Sequence, residues 1–341
     1  MKFTSLLPWF SAHRRSLPWR TARGTPRDPW QTLISEVMSQ QTRLEVVEPR
    51  YVEWMERFPT PQHLARASQE EVLAAWAGLG YYSRARNLHK AAQSIARDGW
   101  PATFEGLLAL PGLGPYTAAA IGSLSMGLQV PMVDGNVQRV LSRFHALALD
   151  PRSGPGAKRL REMAIDWIQG AEAGEMNEAS MELGALVCKP RNPSCGECPL
   201  AEGCRACAMG TPEAFPPAKA RKEVVPIRRK VVVVERSGGI LLRRAQESEL
   251  LTGLWILPAE GDSPALVADE PCLGLVRHSI THHQVVWEVA KGAWSGGTLP
   301  SGWQWHGRSE LPAVVVSSLL RKALEIASIL PVAQGNSRKA R

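Results

Sequence analysis

Residues 110–118 read Leu-Pro-Gly-Leu-Gly-Pro-Tyr-Thr-Ala. Gly112 and Gly114 allow a tight turn with exposed backbone N–H groups, and Pro115 suits the first turn of a helix. The small residues Ala118 to Ala120 permit close packing behind it. Such a turn can hold a phosphate, because N–H groups at a helix start bind an anion without reading a base sequence. Taken alone, a Pro-Gly-x-Gly turn between helices is more often only a turn, so its meaning depends on its surroundings.

Those surroundings read as helix. Trp30, Leu33, Ile34, Val37 and Met38 recur at helical spacing, and Ser68 with Glu71 forms a capping box ahead of Val72, Leu73 and Trp76. Gly78 and Gly80 mark a helix exit. Leu88, Ala91, Ala92 and Ile95 give an amphipathic stretch ending near Gly99, and Val137, Val140, Leu141 and Phe144 give another. No strand pattern interrupts the first two hundred residues.

The texture changes after Cys207. Residues 208–230 combine Pro212, Pro216, Pro217 and Pro226 with Lys219, Arg221, Lys222, Arg228, Arg229 and Lys230, which suits an extended basic linker. Beyond it Val231–Val234, a Ser-Gly-Gly turn at 237–239 and Ile240–Leu242 suggest a hairpin. Val285–Ala290 reads as a strand, Ser317–Leu330 as a closing amphipathic helix, and the basic end from Ser337 as a tail. The chain's 341 residues favour two domains, and 40 Lys+Arg against 32 Asp+Glu, net +8, point toward a polyanionic partner. The longest apolar stretch, Leu311 to Leu330, is broken by Arg321, Lys322 and Glu325, so no membrane span is expected. The short apolar N-terminus contains Pro8 and lacks a cleavage site of the secretory kind.

Cys188, Cys195, Cys198 and Cys204 form C-x6-C-x2-C-x5-C, four thiolates able to converge on one soft metal centre. Only Cys195 and Cys198 make a zinc-type knuckle, so the spacing favours an iron–sulfur cluster, with zinc the alternative and Cys207 a spare thiol nearby. Two acids stand out. Glu36 lies ~130° from the centre of its helix's apolar stripe and reads, by itself, as a solvated carboxylate. Asp134 precedes the pattern Val137 to Phe144, where its default task is to cap the helix.

Together LPWR at 17–20, SEVMSQQT at 35–42, GLGYYSRARNLH at 78–89, LPGLGPYTAAAI at 110–121, VDGNVQRVLSR at 133–143 and NEASMELGALVC at 177–188 carry a resemblance. Over residues 3–207 the chain resembles the helix-hairpin-helix DNA glycosylase superfamily and, within it, the MutY-type adenine DNA glycosylases. LTGLWILP at 251–258 and RHSITHH at 277–283 are similar to the MutT-like, Nudix-fold domain of those enzymes. The resemblance implies a mainly α, two-lobed glycosylase fold with a 4Fe-4S cluster loop and a C-terminal α+β domain. One lobe would be residues 26–137, the other 1–25 with 138–207, followed by the linker 208–230, an 8-oxoguanine-recognition domain 231–335 and a tail 336–341.

The implied reaction is removal of adenine opposite 8-oxoguanine or guanine in double-stranded DNA by flipping the nucleoside out and cutting its glycosidic bond. Glu36 matches the acid that protonates adenine and later helps activate water, and its pKa is expected to be raised by an apolar setting. Asp134 matches the carboxylate that stabilises the oxocarbenium-like sugar and is expected to stay charged beside a helix N-terminus. Tyr116 and Asn136 match residues that line the adenine site, and Arg20 and Glu178 match polar residues tuning it. Gln41 and Tyr81 match groups inserted into the base stack, Gly112 and Gly114 the backbone-binding hairpin, and Cys188, Cys195, Cys198 and Cys204 the cluster ligands.

Bifunctional relatives of the endonuclease III type carry lysine where this chain has Tyr116, so the implied enzyme is monofunctional. In the C-terminal domain the family's Phe-Ser-His reader appears as Ile280-Thr281-His282, which keeps a hydroxyl and an imidazole but loses an aromatic face. Ser39 likewise stands where the family has a bulky apolar residue. A monomer acting in the cytoplasm, on the nucleoid if bacterial, completes the expectation. The competing readings are an endonuclease III-like glycosylase/lyase for oxidised pyrimidines and a non-catalytic iron–sulfur DNA-binding protein.

Overall fold

The helices through residue 220 follow from the signals above, with caps where the sequence supplies them. The computed structural model describes residues 5–22, 25–218, 223–269, 271–315 and 317–331. Its helices in this part are α1 Leu6–His13, α2 Pro29–Ser39, α3 Leu44–Arg57, α4 Pro61–Arg66, α5 Gln69–Ala75, α6 Tyr82–Asp98, α7 Phe104–Leu108, α8 Pro115–Met126, α9 Gly135–His145, α10 Gly154–Ile168, α11 Ala173–Leu186 and α12 Arg205–Ala208. Asp28 caps α2 by accepting from the Gln31 N–H, Pro29 occupies its first turn, and the capping box of Ser68 and Glu71 starts α5.

Packing divides the chain into two units, residues 1–67 with 83–220, and 68–82 with 221–341. In the first unit α2 lies against α8, and α11 packs on α8, α9 and α1. Leu6 and Phe10 of α1 share a core with Val140, Leu141, Trp167 and Leu183, so the N-terminal helix completes the unit that carries the cysteine loop. The turn of residues 110–114 joins α7 to α8. Gly112 has φ +77°, and a Cβ there would stand 2.4 Å from the Asn87 Cβ, so both conformation and space require glycine.

The second unit is a sheet with helices. Its strands are β1 Val225–Arg236, β2 Gly239–Arg244, β3 Trp255–Ile256, β4 Leu266–Ala268, β5 Gly274–Ile280, β6 His283–Trp294 and β7 Trp303–Gly307, followed by helices α13 Leu311–Val314 and α14 Ser318–Ile326. Neighbours run β3-β2-β1-β6-β4, with β5 also on β6 and β7 on β2. β1 and β6 pair in parallel from Val225↔His283 to Val234↔Gly292. The hairpin expected around 237 is present, with Ser237 and Gly238 both at positive φ and Arg236 paired to Gly239. Val231, Val233, Ile240, Leu242, Val289, Leu320 and Leu324 form the main core between sheet and α14.

Three expectations change. β1 begins at Val225, inside the stretch read as linker, because Pro226 and the basic run at 228–230 obscured a strand whose partly buried Ile227 packs against the core. Residues 68–82, expected inside the first lobe, group with the C-terminal chain, where α13 packs on α5 and Arg244 pairs with Glu70. Glu36, read from its stripe as solvated, is only 9% exposed because α8 covers a second face of α2. Linker residues 219–222 and the tail from 336 lie outside the described residues.

Candidate active site and cysteine loop

A cavity of about 870 Å³ opens in the first unit, and Glu36, Tyr116, Asp134, Asn136, Arg20 and Glu178 all line it, with Gln41, Gly112 and Gly114 on the same wall. Glu36 comes from the middle of α2 and Tyr116 from the first turn of α8. The Tyr116 hydroxyl donates to Glu36 Oε2 at 2.6 Å. Burial pushes the Glu36 carboxyl up from its ordinary 4.5; the Tyr116 hydrogen bond and nearby Arg27 oppose the rise, while Glu178 and Asp134 add to it. The same burial and the Glu36 charge hold the Tyr116 phenol well above its ordinary value.

Asp134 both caps and faces the cavity. Its Oδ1 accepts from the Val137 N–H at 2.7 Å and its Oδ2 from Asn136 Nδ2 at 2.8 Å, which fixes both oxygens at the start of α9. Burial raises the Asp134 pKa above its ordinary 3.8, against the donors from Val137 and Asn136 and the charge of Arg139. The ionised form therefore depends on those donors. Asn136 is in turn held by Arg139, whose Nη2 reaches Asn136 Oδ1 at 2.8 Å while its Nε donates to the Cys188 carbonyl at 2.7 Å. Gly184 lets α11 approach, since a Cβ there would stand 2.6 Å from the Asn136 Cβ.

Arg20 and Glu178 are ion-paired with each other, and the structure adds partners the sequence did not single out. Arg27 also pairs with Glu178, and Arg20 and Arg15 both donate to Glu182, which is nearly inaccessible. Burial alone would raise the Glu182 pKa, but hydrogen bonds from Arg15 and Arg20 hold it down at about 2. Arg15 and Arg27 lie outside the quoted motifs, on either side of LPWR, and Glu182 lies inside NEASMELGALVC with nothing in its spacing to mark it.

Gln41 stands just beyond the C-terminal end of α2 at φ +55°. Arg84 secures that turn by donating from Nη1 to the carbonyls of Val37, at 2.7 Å, and Gln40, at 2.6 Å. Tyr81, at φ +47° and 41% exposed, belongs to the second unit. So do Thr281 and His282, which form the turn between β5 and β6 with Thr281 at φ +56°. Non-glycine residues in this backbone region carry a conformational cost, and they cluster at positions where a side chain must be aimed. The N-terminus of α8 at Gly114 has no side-chain cap, so its first N–H groups are not committed to one.

The four cysteines follow α11. Cys195 and Cys198 flank a single 3-10 turn, and Cys204 starts α12. Each of Cys195, Cys198 and Cys204 feels the charge of others in the set, Cys188 included. Among the described residues no three His, Cys, Asp or Glu side chains converge as ligands of a single ion; a four-iron cluster asks for a looser arrangement, four thiolates spread around one inorganic body. Arg143, fully buried, braces the loop: it donates to the carbonyls of Lys189 at 2.7 Å and Pro190 at 2.9 Å and lies 3.4 Å from the Cys188 sulfur. A soft donor set beside a buried cation fits an anionic thiolate-bound cluster.

Residues 34–165 match the HhH-GPD superfamily of base excision DNA repair proteins, and residues 188–204 match the iron–sulfur binding domain of endonuclease III. The chain is 32% identical to the human adenine DNA glycosylase over 398 aligned residues, covering 94% of this chain and 73% of that one. It is 43% identical to the Mycolicibacterium smegmatis adenine DNA glycosylase over 211 residues, 61% of this chain and 70% of that one. A solved thermostable thymine-DNA glycosylase superposes with a TM-score of 0.55 at 27% identity, covering 60% of this chain and 94% of its own. A non-covalent endonuclease III–DNA complex, at 23% identity and TM-score 0.50, covers 60% of this chain and 92% of its own and shares the fold. The match over residues 188–204 gives the chain an iron–sulfur cluster of the 4Fe-4S kind, and the chain belongs to the adenine DNA glycosylase family of the HhH-GPD superfamily.

Proposed function

We propose that this enzyme excises adenine paired with 8-oxoguanine, and more weakly with guanine, from duplex DNA. One observation carries the reading: Glu36 and Asp134, distant in sequence, line a single cavity with different hydrogen-bond environments. Adenine is a poor anionic leaving group. Glu36, whose carboxyl is shifted by burial toward its protonated form, donates a proton to the flipped base and then accepts one from the attacking water. Asp134, its two oxygens fixed by Val137 and Asn136, meets the positive charge that develops on the sugar, as in other glycoside cleavages.

The remaining residues serve that step. Tyr116 orients Glu36 and, having no amine, forms no Schiff base, so the product is an abasic site and the enzyme is monofunctional. Arg20 and Glu178 shape the polar wall, Gln41 and Tyr81 fill the stack when the base leaves it, and the Gly112–Gly114 turn with the α8 N-terminus receives a backbone phosphate. The cluster, when bound, supplies a rigid anionic staple for the loop after α11. We assign the C-terminal sheet with α14 to a Nudix-like domain whose Thr281 and His282 read 8-oxoguanine, and the protein to a monomer.

The test is direct. Duplexes carrying adenine opposite 8-oxoguanine, guanine or thymine are incubated with the enzyme, and free adenine is measured before and after alkali. Release in the order 8-oxoguanine, guanine, thymine, with strand breaks only after alkali, is expected. Absence of adenine release, or preference for the thymine pair, contradicts the proposal.

A further inference from the structure

A second cavity, of about 500 Å³, adjoins the one that holds Glu36 and Asp134. It lies where α11 meets α8, which approach closely because a Cβ on Gly174 would stand 2.7 Å from the Ser123 carbonyl oxygen. Phe10, Arg14 and Ala22 line another side of it. Among the described residues, Arg27, Leu124 and Glu178 line both cavities and so form the partition between them. Arg27 is ion-paired to Glu178 Oε1, and Arg20 Nε lies 3.1 Å from the same oxygen, so the carboxylate keeps a partner when Arg27 swings away. The backbone of Arg27 is anchored by its N–H to the Leu124 carbonyl at 3.1 Å, which leaves the side chain as the part able to move. Glu175, three residues before Glu178 on α11 and therefore on the same helix face, lines the second cavity.

We propose that this second cavity is the exit for the cleaved base, opened when Arg27 moves from Glu178 to Glu175, an inference that rests on the adenine-excision reading above. On that reading the nucleoside enters by the mouth that carries Gln41 and the turn of Gly112 and Gly114. After cleavage the abasic sugar, still joined to the strand on both sides, stands in that mouth, and adenine is left on its inner side. The base then passes between Leu124 and Glu178 while the duplex stays bound. Its exocyclic amine donates to the carboxylate that Arg27 has released, and Arg27 keeps a carboxylate one helical turn away, so no charge is stranded during the passage. The chamber beyond falls within the volume of pockets that hold small molecules, about 300–1,000 Å³.

The experiment uses full-length enzyme in excess over a duplex whose adenine, opposite 8-oxoguanine, carries a radiolabel in its ring. Three rates are read: excision, as alkali-sensitive strand; escape of labelled adenine through a membrane that retains the protein; and dissociation of the abasic duplex, chased with unlabelled abasic duplex. In wild type, adenine escapes ~10-fold or more faster than the duplex dissociates. Ala22→Trp fills the exposed rim of the second cavity, and Glu175→Gln removes the charge that receives Arg27. Both variants excise at the wild-type rate, and in both the escape of adenine slows ~10-fold or more. Should Ala22→Trp prove unstable, Thr25→Trp on the same exposed rim takes its place. Adenine that leaves wild type only as fast as the duplex overturns the proposal, as does wild-type escape from either variant. Absence of excision in wild type overturns the adenine reading itself, and the exit with it.

Discussion

Arg139 donates from Nη2 to the amide oxygen of Asn136 across 2.8 Å, and Asn136 passes that order on to Asp134. Because the same guanidinium grips the Cys188 carbonyl, the carboxylate's position is tied to the first cysteine of the cluster loop. Arg139→Gln is expected to lower the single-turnover rate of adenine release ~10- to 100-fold, as loss of an orienting partner does, with duplex affinity within a few-fold of wild type. Arg139→Lys should recover little, since a point charge cannot hold both carbonyl and amide. Unchanged rates in both variants would show that Asp134 is fixed by its cap alone.

Tyr116→Phe removes the hydroxyl that favours ionised Glu36. The protonated acid is the active form, so activity falls as pH rises through the Glu36 pKa; losing a group that lowers this pKa moves the alkaline limb to higher pH. The rate on the plateau, where Glu36 is neutral, should drop by a few-fold to about tenfold, the worth of one hydrogen bond between uncharged groups. A rate–pH profile checks both. Tyr116→Lys should in addition form a borohydride-trappable adduct with the abasic product; no adduct would count against the cavity assignment.

Much of this was legible in the string of residues, and the failures have physical causes. The hairpin turn, the capping box at Ser68 and the cap at Asp134 are local devices, and local spacing reveals them. The burial of Glu36 is not local: periodicity sees the stripe facing one neighbour and cannot register that α8 covers a second face. Arg27 and Glu182 belong to a network joined across about 150 residues of chain or more, which no window detects. β1 was shortened because Pro226 and three basic residues mimic linker chemistry, and β3 and β4 are too short to show a period of two.

Glu182 is the test of that network. Glu182→Ala leaves Arg20 with Glu178 alone and the partly exposed Arg15 without its carboxylate, and should destabilise the protein by about 1–3 kcal/mol in urea titration, less than for a fully buried pair. Glu162→Ala, which removes an exposed partner of Arg159, should change stability by less than ~0.5 kcal/mol. Equal effects would mean that the network is not a buried one.

Gly112 and Gly114 should separate folding from binding. Gly112→Ala demands φ +77° of an alanine and places its methyl against Asn87, so a loss of ~1–3 kcal/mol in stability is expected. Gly114→Ala meets no atom within 4 Å, so thermal unfolding should stay near wild type while duplex affinity falls. The reverse pattern would remove the phosphate role from the α8 N-terminus.

The central claim is that Glu36 and Asp134 act on one flipped adenosine, and the most direct measurement is single-turnover adenine release by Glu36→Gln and Asp134→Asn on a duplex with adenine opposite 8-oxoguanine, with affinity for the same duplex measured in parallel. The account predicts that each variant binds the duplex within a few-fold of wild type and loses adenine release by at least ~100-fold, the scale of a general acid or an electrostatic stabiliser. Wild-type release by either variant would contradict it.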